Sequence, residues 1–290
     1  MNNTTLILGC GDVGTLLGQQ LIAQGQRVIG VRRHPEKLEG SGIEPLAMNL
    51  DDDEAVAALP DADIVIYILS ADRFEESAYE SAYYQGLDRV LTTFEARAEP
   101  PKQVIFVSST SVYGQCDGET VTEDSVIVPT GFAGKWLHKA ESRLWQSSIP
   151  GTSVRFSGIY GPGRERLINQ VQEGRVAPAT PPMYSNRIHR DDCAGVLVFL
   201  IEKALAGDTL DPVYLGSDQE AAPIHDVMMW LSRALGIEPS NTIQSPLRRR
   251  ASKRCDSTRL QMAGYTFMFP TFREGYRDVL REAGLPCRVD

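Results

Sequence analysis

The sequence predicts a doubly wound α/β fold, a parallel sheet covered by helices on both faces and joined to a smaller C-terminal lobe. Three observations predict it: short, almost wholly apolar runs alternating with helical patterns, a glycine-rich turn GCGDVG directly after the first run, and a rise in glycine and proline beyond Tyr160. Near-continuous apolar strands belong to sheets buried on both sides, whereas a sheet with one wet face alternates apolar and polar residues.

Residues 5–8 read as the first strand, β-branched and aliphatic throughout. The LLGQQLIAQG that follows the glycines has helical periodicity and closes at Gly25. Residues 27–31 form the second strand, with Arg32 and Arg33 at its end. The third strand covers residues 44–48, a helix residues 52–59, and the fourth strand residues 64–69. A longer helix over residues 75–98 stops before Pro100-Pro101, because a residue preceding proline is pushed out of the α region. The fifth strand is residues 103–107, after which residues 113–130 read as a loop, 134–147 as a helix and 153–156 as the sixth strand. Helices at 167–174, 193–206 and 224–235 then alternate with short strands near 213–215 and 252–255. The expected division is residues 1–160 as a nucleotide-binding domain, to which later segments return, and 161–290 as the smaller lobe.

With 290 residues, 42% of them hydrophobic, the chain is long enough for one sizeable core and a smaller one beside it. Lys plus Arg give 29 against 38 Asp plus Glu, a net charge of -9, which argues against nucleic acid as a partner. The longest apolar runs, residues 64–69 and 196–201, are too short to span a bilayer, and no membrane partner is expected. The N-terminus enters the first strand without the regions of a signal peptide, so the expectation is a soluble, cytoplasmic protein. Five cysteines, Cys10, Cys116, Cys193, Cys255 and Cys287, have no CxxC spacing and no matching His cluster, so neither a disulfide framework nor a metal site is expected.

Gly9, Gly11 and Gly14 form GxGxxG between a strand and a helix, the context that gives the pattern meaning. The first glycine permits the tight turn, the second lets backbone approach a pyrophosphate, and the third lets helix and strand pack closely. The phosphate charge then rests on the free amides of the helix N-terminus, which brings in Asp12 and Val13. An acidic residue gripping an adenosine ribose should follow about 20 residues after the glycines. Arg32 and Arg33 stand there instead; a guanidinium grips a 2'-phosphate, so NADP is favoured over NAD. Leu50, which follows the third strand, and Leu69, Ser70 and Ala71, at the end of the fourth, complete the cofactor-binding set on this side.

Ser108, Ser109 and Thr110 lie at the C-terminal end of the fifth strand, where an open α/β sheet places ligands. The order GCGDVG, SSTSVYG, VRFSGIYGPGR and RIHRDD resembles the extended short-chain dehydrogenase/reductases, the NAD-dependent epimerases and dehydratases of nucleotide sugars, across nearly the whole chain. The resemblance implies a Rossmann-type sheet, a sugar-nucleotide or small carbonyl substrate, and a homodimer formed through the helices near 75–98 and 134–147. It makes Ser108 a cofactor contact and Ser109, four residues before Tyr113, the serine that orients the substrate or catalytic tyrosine. It also aligns the family's loop glutamate with the stretch from Glu123 to Pro129.

The family then expects YGxSKxxxE, and this chain has Ala133-Gly134-Lys135-Trp136-Leu137-His138-Lys139-Ala140-Glu141. Alanine and leucine occupy the tyrosine and lysine positions, and neither has a titratable proton. A one-turn slip of register would place Lys135 or Lys139 near the cofactor, with Lys135 the substitute catalytic candidate and solvated helix residues the alternative, yet no tyrosine occurs between Tyr113 and Tyr160. The departure is similar to atypical members that keep nucleotide binding without the Tyr and Lys pair. Two readings follow: an epimerase/dehydratase-like or oxidoreductase enzyme with non-standard proton transfer, or a catalytically inactive NADP-binding sensor.

In RFSGIYGPGR the resemblance places Ser157 and Tyr160 at the nicotinamide end of the cofactor, with a plain Gly-Pro turn as the alternative. In RIHRDD, Asp192 directly before the apolar run fits a helix N-cap and His189 either anchors the lobe or lines its pocket. Tyr184, Asn186 and Arg187 are candidate substrate contacts on a loop. The triplet Arg248, Arg249 and Arg250 suits an anionic substrate or a solvated surface, and the aromatics of YTFMF read as core.

Overall fold

β1 (Thr4–Leu8) has Thr5, Leu6, Ile7 and Leu8 wholly buried, and the central sheet is built outward from it on both sides. The structure is a computed structural model and describes residues 3–243 and 252–289. In chain order β1 is followed by α1 (Asp12–Ala23), β2 (Arg27–Arg32), β3 (Glu44–Ala47), α2 (Asp53–Ala57) and β4 (Ile64–Tyr67). Next come α3 (Glu76–Tyr79), a π-helical stretch over Glu80–Gln85, α4 (Gly86–Glu95) and β5 (Gln103–Ser109). Then follow β6 (Asp117–Val121), α5 (Phe132–Trp145), β7 (Gly151–Phe156), β8 (Gly158–Tyr160), α6 (Arg166–Gln172), β9 (Arg175–Val176), β10 (Tyr184–Ser185) and β11 (Arg187–His189). The chain ends with α7 (Arg190–Ala206), β12 (Val213–Gly216), β13 (Ala222–Pro223), α8 (Ile224–Leu235), β14 (Asn241–Thr242), β15 (Ser252–Cys255), α9 (Thr258–Met262) and α10 (Phe272–Glu282).

These elements form two units that interleave along the chain. The first takes Met1–Val112, Pro129–Arg155 and Ala194–Tyr214; the second takes Tyr113–Val128, Phe156–Cys193 and Leu215–Asp290. The seven-stranded sheet runs β12-β7-β5-β4-β1-β2-β3, and the pairs β3–β2, β2–β1, β1–β4 and β4–β5 are parallel. This is the doubly wound α/β architecture, with the order reversing between β1 and β4, the place where such sheets open a crevice for ligands.

One buried ion pair ties helix to sheet in the first unit. Arg155 on β7 donates through Nε and Nη2 to the two carboxylate oxygens of Glu141 on α5, both at 2.8 Å, and both side chains are out of solvent. Burial alone would push the Glu141 carboxyl up, yet the bonds and charge of Arg155 outweigh it and hold the group below the usual range.

The second unit has a core of its own, centred on Trp230, Leu231, Phe272, Tyr276 and Leu280, with short strand pairs at its margin. α10 starts from a capping box, Thr271 taking helix amides while Glu274 reaches back to the Thr271 N–H. Two of the differences from expectation bear on how the second unit is held. The presumed loop 113–130 contains β6, which pairs in parallel with β15 and is held by Arg254 Nε on the Gly118 carbonyl at 2.8 Å. The helix expected at 193 begins at Arg190, so Asp192 lies inside its first turn and is not its N-cap. The Asp192 carboxylate instead accepts from the Tyr265 hydroxyl at 2.7 Å and from the Met268 and Phe269 amides at 2.8 and 3.0 Å. His189 stands directly before the helix, its Nδ1 taking the Asp191 amide at 3.3 Å.

Asp218, also in the second unit, is buried, and that burial pushes its carboxyl up to about 8 against the pull of nearby Arg187. A carboxyl that holds its proton more tightly when folded stabilises fully below its ordinary value and loses that contribution as pH rises towards the folded value. Urea unfolding should therefore show stability falling between about pH 4 and pH 8, with Asp218→Asn flattening that fall; parallel profiles would refute this assignment. For the buried pair, Glu141→Gln should cost about 3 to 5 kcal/mol by stranding the Arg155 charge. The apolar pair Glu141→Leu with Arg155→Met should recover most of the loss in the same measurement.

Candidate functional site

The glycine turn after β1 is shaped by contacts that a side chain would break. Gly9 has φ +91°, and a Cβ there would stand 2.7 Å from the Ile68 carbonyl oxygen just beyond β4. Its amide and that of Cys10 both donate to the Val31 carbonyl of β2 at 3.0 Å, so the turn is pinned to both neighbours of β1. A Cβ on Gly14 would meet Ile7 Cγ2 at 3.2 Å and the Gly9 carbonyl at 3.3 Å, a close packing of α1 on β1. Gly11 differs: the nearest atom to a Cβ there is 3.8 Å away, so nothing within the protein requires glycine. It caps α1, and the Thr15 N–H donates back to the Gly11 carbonyl at 2.8 Å.

These glycines open onto a cavity of about 550 Å³ within the first unit, a volume in the ordinary range of small-molecule sites. Of the residues singled out in the sequence, Gly9, Gly11, Arg32, Arg33, Leu50, Leu69 and Ser70 line it together. Asp12, Val13, Gly14, Ala71 and Ser108 are not part of its lining. Asp12 is an exposed residue of the first turn of α1, Val13 is buried, and the Ala71 amide donates to the Tyr83 hydroxyl at 3.4 Å. Arg32 Nη1 donates to the Cys10 carbonyl at 3.1 Å, which braces the glycine turn. Arg33 makes a two-pronged bond to Asp72, with both contacts at 2.7 Å.

The sequence reading missed one wall of this cavity. Ser77, Ala78, Ser81 and Ala82, small residues spaced one helical turn apart on α3 and the π-helical stretch, leave room beside the glycine turn. It also missed Asp72, Arg73 and Glu75, charged residues in the loop after β4. Asp51 adds a further carboxylate and accepts from Ser81 Oγ at 2.7 Å.

Ser109 closes β5 half-buried, with its Oγ accepting the Ser111 amide at 3.2 Å. Lys135 is exposed in the first turn of α5, while Leu137, at the family's lysine position, is buried in the core. A Cβ on Gly134 would approach the Ser111 carbonyl to 2.3 Å, so this turn of α5 lies tightly against the end of β5. Among the described residues of the second unit, the structure gives the family-like positions internal roles. Ser157 is buried and its amide donates to the Gly216 carbonyl at 2.9 Å. Tyr160 belongs to the apolar core, its ring 5.3 Å from His189 and 4.7 Å from Tyr276. Asn186 clamps β15 by donating to the Lys253 carbonyl and accepting from the Cys255 amide; Arg187 is buried over Phe272 and donates to Ser185 Oγ. The Tyr184 amide donates to Ser252 Oγ at 3.1 Å. Glu123 is buried and accepts the Leu215 amide at 2.8 Å. Arg248, Arg249 and Arg250 lie outside the described residues.

A glycine turn of this geometry at the reversal point of a parallel sheet is that of a Rossmann-type dinucleotide-binding unit. The chain belongs to the NAD(P)H-binding family, whose pattern it matches over residues 9–204. Its relatives are epimerase/dehydratase-like: a candidate NAD-dependent epimerase/dehydratase from Methylobacillus flagellatus superposes with a TM-score of 0.80 and 32% identity, covering 98% of this chain and 100% of that one. Protein YeeZ of Escherichia coli (strain K12) is 28% identical over 277 residues, 91% of this chain and 95% of that protein. The human epimerase family protein SDR39U1, solved with NADPH, shares the fold at a TM-score of 0.77 and 19% identity, covering 96% of this chain and 99% of that one.

The two glycines should separate by experiment. Gly11→Ala should melt as the parent protein does and lose about tenfold or more in dinucleotide affinity, since only a bound pyrophosphate contests that space. Gly9→Ala should instead lower the melting temperature, because its backbone conformation and the Ile68 carbonyl both exclude a side chain.

Proposed function

We propose that this protein binds NADP in preference to NAD and presents it to a sugar-nucleotide or small carbonyl substrate in epimerase/dehydratase-like or oxidoreductase chemistry. The observation that carries the cofactor choice is the pair Arg32 and Arg33 lining the glycine-turn cavity where a ribose-binding carboxylate would follow β2. Arg32 reaches the turn itself, and Arg33 offers a guanidinium fork of the kind that holds a phosphate through paired hydrogen bonds. The pyrophosphate rests on the α1 amides beside Gly11, and Leu50, Leu69 and Ser70 border the adenosine.

The catalytic step runs without the usual pair. The cofactor supplies hydride transfer when bound; the protein must position the substrate and handle the accompanying proton. Ser109 at the end of β5 supplies a hydroxyl to orient the substrate, and exposed Lys135 in the first turn of α5 is a candidate for the proton transfer. Alanine and leucine at the Tyr and Lys positions also favour a second reading, an NADP-binding sensor that turns nothing over.

Titration of the purified protein with NADPH and NADH, beside the Arg32→Ala/Arg33→Ala double variant, tests the cofactor reading. NADPH should bind more tightly than NADH, and the variant should lose that preference while retaining its fold. Equal affinities in the parent protein would refute it. Consumption of bound NADPH on adding sugar nucleotides or small carbonyl compounds separates the enzyme from the sensor.

A further inference from the structure

Arg33 follows β2 and Asp72 follows β4, and these are the two strands that flank β1 in the sheet. The glycine turn follows β1 itself. The ion pair between Arg33 and Asp72 therefore joins the loops on either side of the strand that carries the glycine turn, and all of these residues border one cavity. Arg33 spends Nη1 and Nη2 on the two oxygens of the Asp72 carboxylate, at 2.7 Å each. This end-on edge is one of the two forks of a guanidinium, the other running through Nε, and the planar fork that suits a carboxylate also suits a phosphate. An anion that takes this edge of Arg33 must first displace Asp72.

We propose that Asp72 is a specificity-determining residue, a built-in competitor that occupies the Arg33 fork and limits how strongly this cavity prefers a nucleotide with a 2'-phosphate. A 2'-phosphate takes the fork and leaves the Asp72 carboxylate without its partner and close to a second anion. A ribose with a free 2'-hydroxyl makes no such demand, so the clamp persists when NAD binds. Asp72 thus acts against one cofactor and not the other. The charges nearby fit a balanced rather than a wholly basic cavity: Asp51 and Glu75 also border it, against Arg32 and Arg73. The Arg33 hydrogen bonds hold the Asp72 carboxyl below the usual carboxylate range, so the competitor is ionised at neutral pH. Both side chains are more than half exposed, at 59% and 60%, which makes the clamp open to exchange and not a rigid strut.

The inference rests on the reading that Arg33 receives the 2'-phosphate, and the experiment keeps the two apart. NADPH and NADH are titrated against the parent, Asp72→Asn, Arg33→Ala, the double variant, and Glu75→Gln as a control that removes one negative charge from the same cavity. Asp72→Asn should tighten NADPH by about fivefold, the scale of an exposed ion pair, and leave NADH within about twofold. In the Arg33→Ala background the same substitution should change the NADPH affinity by less than about twofold. Thermal melting should match the parent for each variant, since no buried group is touched. An unchanged NADPH affinity in Asp72→Asn overturns the inference, as does an equal gain in the Arg33→Ala background or in Glu75→Gln, either of which marks a simple charge effect. If Arg33→Ala leaves the NADPH to NADH ratio where it was, the 2'-phosphate reading itself fails; if that ratio collapses while Asp72→Asn is inert, only the role of Asp72 fails.

Discussion

The constraint on which the nucleotide-binding unit depends is the absence of a side chain at Gly9. With a Cβ position 2.7 Å from the Ile68 carbonyl, the turn after β1 sits directly against the chain leaving β4, and its two amides hold the Val31 carbonyl of β2. Three strands are thereby fixed at one point, where the order of the sheet reverses. The start of α1, the end of β2 with its arginines and the loop carrying Ser70 and Asp72 all take their positions from that point. The cavity is what remains between them.

The site was legible in the sequence where its signal is local. The first strand, the three glycines, α1 and β2 follow one another without interruption, so periodicity and glycine spacing fixed both the elements and the loop between them. Arg32 and Arg33 fell into place because their meaning depends on distance from the glycines along the chain. The rest of the cavity wall is non-local. Asp72 is 39 residues from its partner Arg33, and nothing in the run SADRFE distinguishes it from a solvated turn. The small residues Ser77, Ala78, Ser81 and Ala82 did carry a signal, since spacing by one helical turn puts them on one face, but small residues on a helix equally suit ordinary packing.

The second unit was read less well, again for physical reasons. β6 is DGETV, polar at most positions, and its partner β15 lies more than a hundred residues later, so neither pattern nor proximity announces the pairing. α7 was placed three residues late because its first turn is Arg190-Asp191-Asp192, which carries no apolar periodicity; acidic groups there instead suit the positive end of a helix. Asp192 is expected as a helix N-cap but lies inside the first turn of α7. It receives Tyr265 and the amides of Met268 and Phe269, from a segment more than seventy residues away. Motifs shared with a family thus located important residues without revealing what each one holds.

The interleaving of the two units bears on how the gene can be cut. The sheet order places β12 next to β7, and β12 reaches the sheet only after the chain has passed through two of the three segments of the second unit. A product ending near residue 160 would lack both β12 and α7, and β7 would become a bare edge with unpaired amides and carbonyls along a buried strand. Such a fragment invites edge-to-edge aggregation even though it holds every glycine of the nucleotide turn. Any dissection of this protein into a minimal cofactor-binding piece has to splice residues 194–214 back on.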